Sequence, residues 1–308
     1  MIHDNLSDFN GKKVQEFKAG TLLSSECAIK VGIDWDEYDE GVEFTDKLKE
    51  FFTQPNVEKV DTLVIGLWAP ESEPDSSELV KILVENKDKL PNLKGLMVGD
   101  IVGEEQEISW IEQSDLGVLL LAFPQLTTFH VRGGTGLRIS DIRHSNLLTL
   151  IIETGGLSAE VLNDIAISYL PNLEHLELWL GEHSYGFDGG PEDVQKVLKN
   201  FEDGKLKYLG LRNSEIIDQL TPLVCNSPVI NGLETLDLSL GTMSDESAKV
   251  ILESSALLNL KFLNLEHHFI SDAVVAQLTK LPYNVNVSDQ QEDDVYDGEV
   301  YRYISVGE

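Results

Sequence analysis

The sequence predicts an α/β solenoid, a horseshoe with a parallel β-sheet on its concave side and helices on its convex side. Three observations lead there. A Leu-x-x-Leu-x-Leu pattern, with Val, Ile or Phe allowed, starts at positions 60, 93, 126, 147, 173, 206, 233 and 260, at spacings of 33, 33, 21, 26, 33, 27 and 27. Helical periodicity fills the gaps between copies. The 308-residue chain is 42% hydrophobic, enough to build a core.

The clear copies run from Leu93-Lys-Gly-Leu96-Met-Val98 to Leu260-Lys-Phe-Leu263-Asn-Leu265, with Val60-Asp-Thr-Leu63-Val-Ile65 a weaker one before them. Ala28-Ile-Lys-Val31-Gly-Ile33 and Pro282-Tyr-Asn-Val285-Asn-Val287 read as degraded terminal copies. Each copy supplies a short strand with its leucines turned inward. Helix signals follow. Asp75-Ser-Ser-Glu78 has capping-box spacing before Leu79, Ile82 and Leu83. Gly190-Pro191 opens a helix bearing Val194, Val197, Leu198 and Phe201 on one face, and Ser158 and Ser244 are N-cap candidates. Pro91, Pro124 and Pro171 stop helices before the next strand. A strand–helix unit of this kind buries its apolar face only against neighbours. The chain therefore reads as one domain: an N-terminal cap over 1–27, nine or ten repeats over 28–288, and an acidic C-terminal cap or tail over 289–308.

These motifs resemble the leucine-rich repeat family, in its ribonuclease-inhibitor-like branch with a helix in each repeat. The resemblance implies a non-catalytic protein-binding module. The sequence departs from the family at the ninth repeat position, usually Asn, where it has Ile101, Gly134, Gly155, Gly181, Ser214, Gly241 and His268. Four glycines there predict a tight backbone turn. The ending Val300-Tyr-Arg-Tyr-Ile-Ser-Val306-Gly-Glu also resembles that of a bacterial leucine-rich-repeat family without an assigned activity.

Charge narrows the function. There are 23 Lys+Arg against 54 Asp+Glu, a net charge of −31. Such a surface repels phosphate backbones and anionic lipid, so neither nucleic acid nor membrane is expected as a partner. The N-terminus has no basic and apolar leader pattern, and no apolar run approaches a membrane span. Two cysteines, Cys27 and Cys225, make no disulfide framework. A cytoplasmic monomer is the expectation.

Residues flanking the last two apolar positions of each copy should face the concave side. Those thirty positions carry three basic and five acidic residues, so the acidity is not concentrated there. The middle of this surface gathers His130, Arg132, Glu153, His175, Glu177, Trp179, Tyr208 and Arg212, the candidate protein-binding site. Arg132 and Glu153 are placed for an ion pair and Trp179 and Arg212 for a cation–π contact, with His175 beside Tyr208. Trp179 and Tyr208 would be exposed apolar anchors, and Trp179 removable at little cost in stability.

Two alternatives compete. The acid clusters at 34–43 and 289–299, each with six acids and no base, and in loops with Glu71, Glu73 and Asp75 or Glu104, Glu105 and Glu107. Solvated caps explain these runs; capture of a basic partner, aided by Trp35, Tyr38 and Tyr296, is the functional reading. Asp34-x-Asp36-x-x-Asp39-x-Gly41 misses calcium-loop spacing. The other alternative is a small metal-dependent hydrolase at His130, Glu153, His175 and Glu177. No catalytic motif supports it, so neither metal nor cofactor is expected. Gly133-Gly-Thr-Gly136 lacks a phosphate-loop Lys and reads, like His267-His268, as a turn. The loop 181–190 could fold over the concave face.

Overall fold

The computed structural model describes residues 1–70 and 74–307. Glu71 and Glu73, assigned above to an acidic loop, lie outside the described residues. The chain divides into two compact units, one formed by Met1–Ile152 with Ser168–Asn172, the other by Glu153–Ile167 with Leu173–Gly307.

The first unit opens on a hairpin, β1 (Asp8–Phe9) and β2 (Lys12–Glu16), and continues with β3 (Ala28–Val31), α1 (Trp35–Asp39), α2 (Phe44–Phe51), β4 (Thr62–Ile65), α3 (Ser77–Glu85), β5 (Gly95–Val98), α4 (Gly117–Ala122), β6 (Thr128–Arg132) and β7 (Thr149–Glu153), whose last residue falls in the second unit. From β2 to β6 the strands pair in parallel, each on the next in chain order. The second unit holds α5 (Ala159–Ala166), β8 (His175–Gly181), α6 (Pro191–Asn200), β9 (Tyr208–Ser214), α7 (Ile217–Asn226), β10 (Thr235–Asp237), α8 (Asp245–Glu253), β11 (Phe262–Asn264), α9 (Asp272–Leu278) and β12 (Asn284–Asn286). Strands β8 to β12 are again parallel neighbours in chain order. A separate antiparallel pair follows, β13 (Asp294–Tyr296) and β14 (Glu299–Tyr301).

Strand follows motif because the register is set by the apolar ladder. Leu63, Leu96 and Phe129 stand side by side in the first unit, and Leu176, Leu209, Leu236 and Leu263 in the second, all completely buried. In each unit successive helices pack together, α2 to α3 to α4 and α5 through α9. The leucines fill the space between sheet and helices. Ser158 and Ser244 cap α5 and α8, accepting from the backbone N–H of Val161 and Glu246, and Pro191 opens α6. No helix among the described residues is long and apolar enough to cross a membrane.

Four local expectations need correction. The first terminal copy slips by two residues: Ile29 pairs with Leu63 and Val31 with Ile65, so Ile29 and Val31 are the ladder residues and Lys30 shares a row with Val64. The capping box at 75–78 does not form. Ser76 is the N-cap, its hydroxyl is taken by Ser114 at 2.8 Å, and the Asp75 carboxylate accepts from the Ser77 N–H. The ninth-position glycines are not generally the turn residues. The left-handed residue comes one place earlier at Gly133, Asn213, Leu240 and His267, with Gly181 the ninth-position case. What Gly181 and Gly241 provide is proximity: a Cβ would lie within 1.8 Å of the Gly155 carbonyl and 2.6 Å of the Ser214 carbonyl. Finally, the N-terminal stretch does more than cap an end. Asn10-Gly11, both at positive φ, turns β1 into β2, and β2 adds a parallel strand to the sheet.

His144 and His268 show how neighbouring repeats are tied from within. In each ring Nδ1 accepts an N–H two residues on, from Asn146 or Ile270, and Nε2 donates to a carbonyl of the adjacent segment, Phe123 or Val287, at 3.2 and 3.1 Å. Burial pushes both imidazoles below their ordinary value, against the pull of those carbonyls. Unfolded, both rings take up protons below about pH 6.5; folded, they resist, so stability falls as pH drops through that range. Denaturant midpoints should decline between about pH 7 and 5.5, and the His144→Gln/His268→Gln pair should flatten that slope. Leu176→Ala should cost about 2–5 kcal/mol in the same assay, because its cavity cannot collapse against a fully packed ladder.

Candidate functional site

The sheet of each unit has a second face, opposite the leucine core, and every predicted site residue belongs to it or to its strand ends. The two units treat this face differently.

In the first unit the row through the middle of the strands is Lys30, Val64, Met97 and His130, each at most 6% exposed. The chain's own N-terminal segment covers it. Phe9 packs with Ala28, Val64 and Met97, joined by Leu6 and Val14, and its ring stands 6.2 Å from that of His130. Polar contacts hold the segment in place: the Leu6 N–H donates to Asp100 Oδ1 at 3.0 Å, the Asn5 amide to the Asp100 carbonyl, the Gly103 N–H to the Ile2 carbonyl, and the Thr128 hydroxyl to Asn10 Oδ1. A side chain at Gly95 would collide with Asn10 and one at Gly103 with Met1.

Beneath this cover lies a buried charge group. Lys30 Nζ is 2.9 Å from Asp100 Oδ2, Arg132 Nη1 is 3.7 Å from Asp100 Oδ1, and Arg132 donates to the Ile101 carbonyl at 2.8 Å. His130 and Arg132 are thus interior residues of the first unit, and Arg132 carries no exposed guanidinium for a partner.

Five of the predicted residues come together in the second unit. The His175 and Tyr208 rings stack, centroids 3.9 Å apart and planes within 4°. Glu177 takes the indole N–H of Trp179 and Nη1 of Arg212, both at 2.7 Å, and lies 3.5 Å from His175 Nε2. The Arg212 guanidinium sits over the Trp179 ring at 4.9 Å and donates through Nε to the Ser239 hydroxyl. Asp237 accepts from the Tyr208 hydroxyl and the Asn264 amide, each at 2.9 Å, and Asn286 donates on to Asn264. The eighth residue, Glu153, is buried at the end of β7.

Register explains the assembly. His175 pairs with Tyr208 and Trp179 with Arg212 across β8 and β9, while Gly210 stands opposite Glu177. A Cβ on Gly210 would come within 3.0 Å of the Glu177 side chain and 3.1 Å of the Tyr208 ring. The glycine leaves the gap through which Arg212 and Tyr208 reach across the strands.

Electrostatics follow. Burial alone would raise the Glu177 carboxyl, but the His175 hydrogen bond, the Arg212 charge and the Trp179 N–H outweigh it and hold it far below the carboxylate range. Burial pushes the Tyr208 phenol well above its ordinary value, and the Glu177 and Asp237 charges push the same way. Neither group exchanges protons near neutrality. Trp179, 7% exposed, is a packed indole with its N–H spent, which corrects its reading as an exposed anchor. Among the described residues no group of three or more His, Cys, Asp or Glu is placed to hold a metal ion.

Sequence reasoning missed Asp100 and the covering segment with Phe9 and Asn10; Asp237 and Ser239 are among the thirty flanking positions but outside the candidate site. One signal pointed to the cover. Val64 and Met97 are wrong residues for a solvated sheet face, and Asn10-Gly11 is a hairpin turn in plain view.

A strand at each copy of the motif, its leucines inward and helices stacked behind, defines an α/β repeat protein built on a mostly parallel sheet. No protein-family model matches the sequence, and no curated protein does. A crystal structure of a Bacteroides fragilis protein is similar at 36% identity with a TM-score of 0.81, over 90% of this chain and 76% of that one. The chain belongs to the family of that protein. An internalin from Listeria monocytogenes aligns at 16% identity over 76% of this chain and 69% of its own, with a TM-score of 0.34.

Trp179→Ala should destabilise by about 3–5 kcal/mol in chemical denaturation. Glu177 stabilises the fold fully above its ordinary range near pH 4.5 and loses that contribution as pH falls below it. Glu177→Gln should therefore lower stability at neutral pH and less so at about pH 3.

Proposed function

We propose that the chain is a non-catalytic protein-binding module of the ribonuclease-inhibitor-like type. Its partner docks on the non-core sheet face of the second unit. Helices are bulkier than strands, so the curvature of such a unit makes this face the concave one. What carries the reading is the contrast between faces. In the first unit the middle row is apolar or paired inside and is covered by the chain itself; in the second it runs Glu177, Gly210, Asp237, Asn264 and Asn286, polar and hydrogen-bonded apart from the glycine. Above that network the row His175, Tyr208, Thr235 and Phe262 is half-buried, an aromatic-rich strip of the composition that anchors interfaces. The network supports the strip and holds its rings in one orientation before a partner arrives, which lowers the entropy lost on docking.

The reading is non-catalytic because the ionisable groups are committed to one another, with Glu177 and Tyr208 pushed away from neutrality in opposite directions. Acid–base catalysis needs a group poised near the working pH. Arg132, His130 and Glu153 drop out of the proposed contact surface and Phe262 enters it. A monomeric, cytoplasmic protein fits two free thiols, one buried and one partly so.

A photo-crosslinking amino acid at Phe262 should label a partner in lysate of the native host, while the same group at Gln195, exposed on α6, should not. Labelling from 195 and not from 262 would move the binding surface to the helices and overturn the assignment.

A further inference from the structure

The C-terminal acidic segment is folded. Strands β13 and β14 pair antiparallel through Asp294–Tyr301, Val295–Val300 and Tyr296–Glu299, about the turn Asp297-Gly298 with φ of 52° and 82°. An Asp-Gly turn with both residues left-handed matches the twist of a tight hairpin. Every residue of both strands is exposed, Val295 at 62%, Tyr296 at 69% and Val300 at 55%. The hairpin forms a two-stranded sheet of its own, so among the described residues both outer edges lack a neighbouring strand.

Its base is held firmly. Asp293 takes Nε and Nη2 of Arg302 at 2.6 and 3.3 Å, and that guanidinium lies over the Phe269 ring at 5.6 Å. Beyond the hairpin, His267 Nε2 donates to the Tyr303 carbonyl, Ser305 donates to the Leu240 carbonyl, and Val306 is clasped by both sides of the Asn213 amide. The chain on either side of the hairpin is thus moored to the second unit, with β13 and β14 displayed from it.

An isolated hairpin is marginal in water, and unpaired strand edges invite another strand. A two-residue turn makes Tyr296 and Glu299 the hydrogen-bonded pair, so the N–H and C=O groups of Val295 and Val300 point to the free edges. Along those edges valine alternates with acid or tyrosine. Residues 289–303 carry six acids against Arg302 alone, and Arg302 is already paired with Asp293. We propose that this hairpin is a docking arm that binds a basic, extended peptide segment of a partner protein by adding it as a third strand. Backbone hydrogen bonds would form along a free edge, apolar side chains would lie against Val295 and Val300, and lysines or arginines would meet the acids. This surface is separate from the sheet face proposed above, and either can fail without the other.

The probe is a capped ten-residue peptide alternating Lys and Val, titrated by calorimetry into the full chain. Binding should weaken at least about tenfold when alternate amides of the peptide are N-methylated, which removes edge hydrogen bonds and leaves charge intact. It should weaken similarly for Asp294→Asn/Glu299→Gln and for Val295→Ser/Val300→Ser, and on raising salt from about 50 to 300 mM. Because the valine variant could open the hairpin, the N-methylated peptide on the unaltered chain decides. Equal binding of the methylated peptide means charge attraction without strand addition and overturns the proposal. Sedimentation showing a dimer that the valine variant abolishes would put a second copy on the edge and overturn it too.

Discussion

A parallel sheet has two faces, and one row of helices covers only one of them. Much of this chain is a response to that constraint. The leucine ladder satisfies the inner face in every repeat, at roughly 1.5–3 kcal/mol of gross burial for each large side chain. The outer face is a separate problem, with polar backbone along it and no helix to hide it. Two solutions occur in one chain. The first unit folds its own N-terminal segment over the face and can therefore place Val64 and Met97 there, completely buried. The second unit builds the face from groups that satisfy one another.

Both solutions place charge in poorly solvated surroundings, and in both the charge is paired with care. Removing two ions from water costs several kcal/mol each, and their attraction repays this only with good geometry and further hydrogen bonds. Asp100, fully buried, meets Lys30 and Arg132 and also takes the Leu6 N–H. The covering segment thus completes the solvation of a buried carboxylate while its apolar residues shield the valine and methionine. In the second unit Glu177 serves Trp179 and Arg212 together, and Asp237 serves Tyr208 and Asn264. Each carboxylate bridges adjacent strands on the face opposite the leucines. These networks set where the aromatic rings stand.

The ladder was legible in the sequence because its signal is redundant: seven consecutive copies keep one pattern, and an error in any one leaves the others in register. The slip at Ala28-Ile-Lys-Val31 occurred at an end, where a single copy had to be aligned alone. Alternation has period two, so a two-residue slip kept the right face and misplaced only the row. The pairings Trp179–Arg212 and His175–Tyr208 were readable for the same reason, since register follows from the leucines. Burial was not readable. Whether Trp179 is an anchor or a packed ring depends on Glu177 and Arg212 closing around it, and Arg132 depends on a segment more than a hundred residues earlier. Local spacing has no access to such contacts. The capping box at 75–78 failed similarly, because Ser114 from another repeat took the Ser76 hydroxyl.

The uneven use of charge follows from the same constraint. Where polar groups face each other across adjacent strands, they are spent on neighbours and contribute rigidity and orientation. A solenoid's last strand has no such neighbour on its outer edge. Here the chain beyond β12 turns away into a hairpin and returns to clasp Asn213, Leu240 and His267 at the left-handed strand exits. At the exits the Ser305 N–H satisfies the Leu240 backbone carbonyl, while the Asn213 and His267 side chains bond the backbone of Val306 and Tyr303. That clasp ties three successive repeats, those of β9, β10 and β11, to one segment. The acids that precede the clasp stay on the hairpin, outside the packed structure. There, mutual repulsion disfavours end-to-end stacking of like chains, while a chain of opposite charge meets no such barrier.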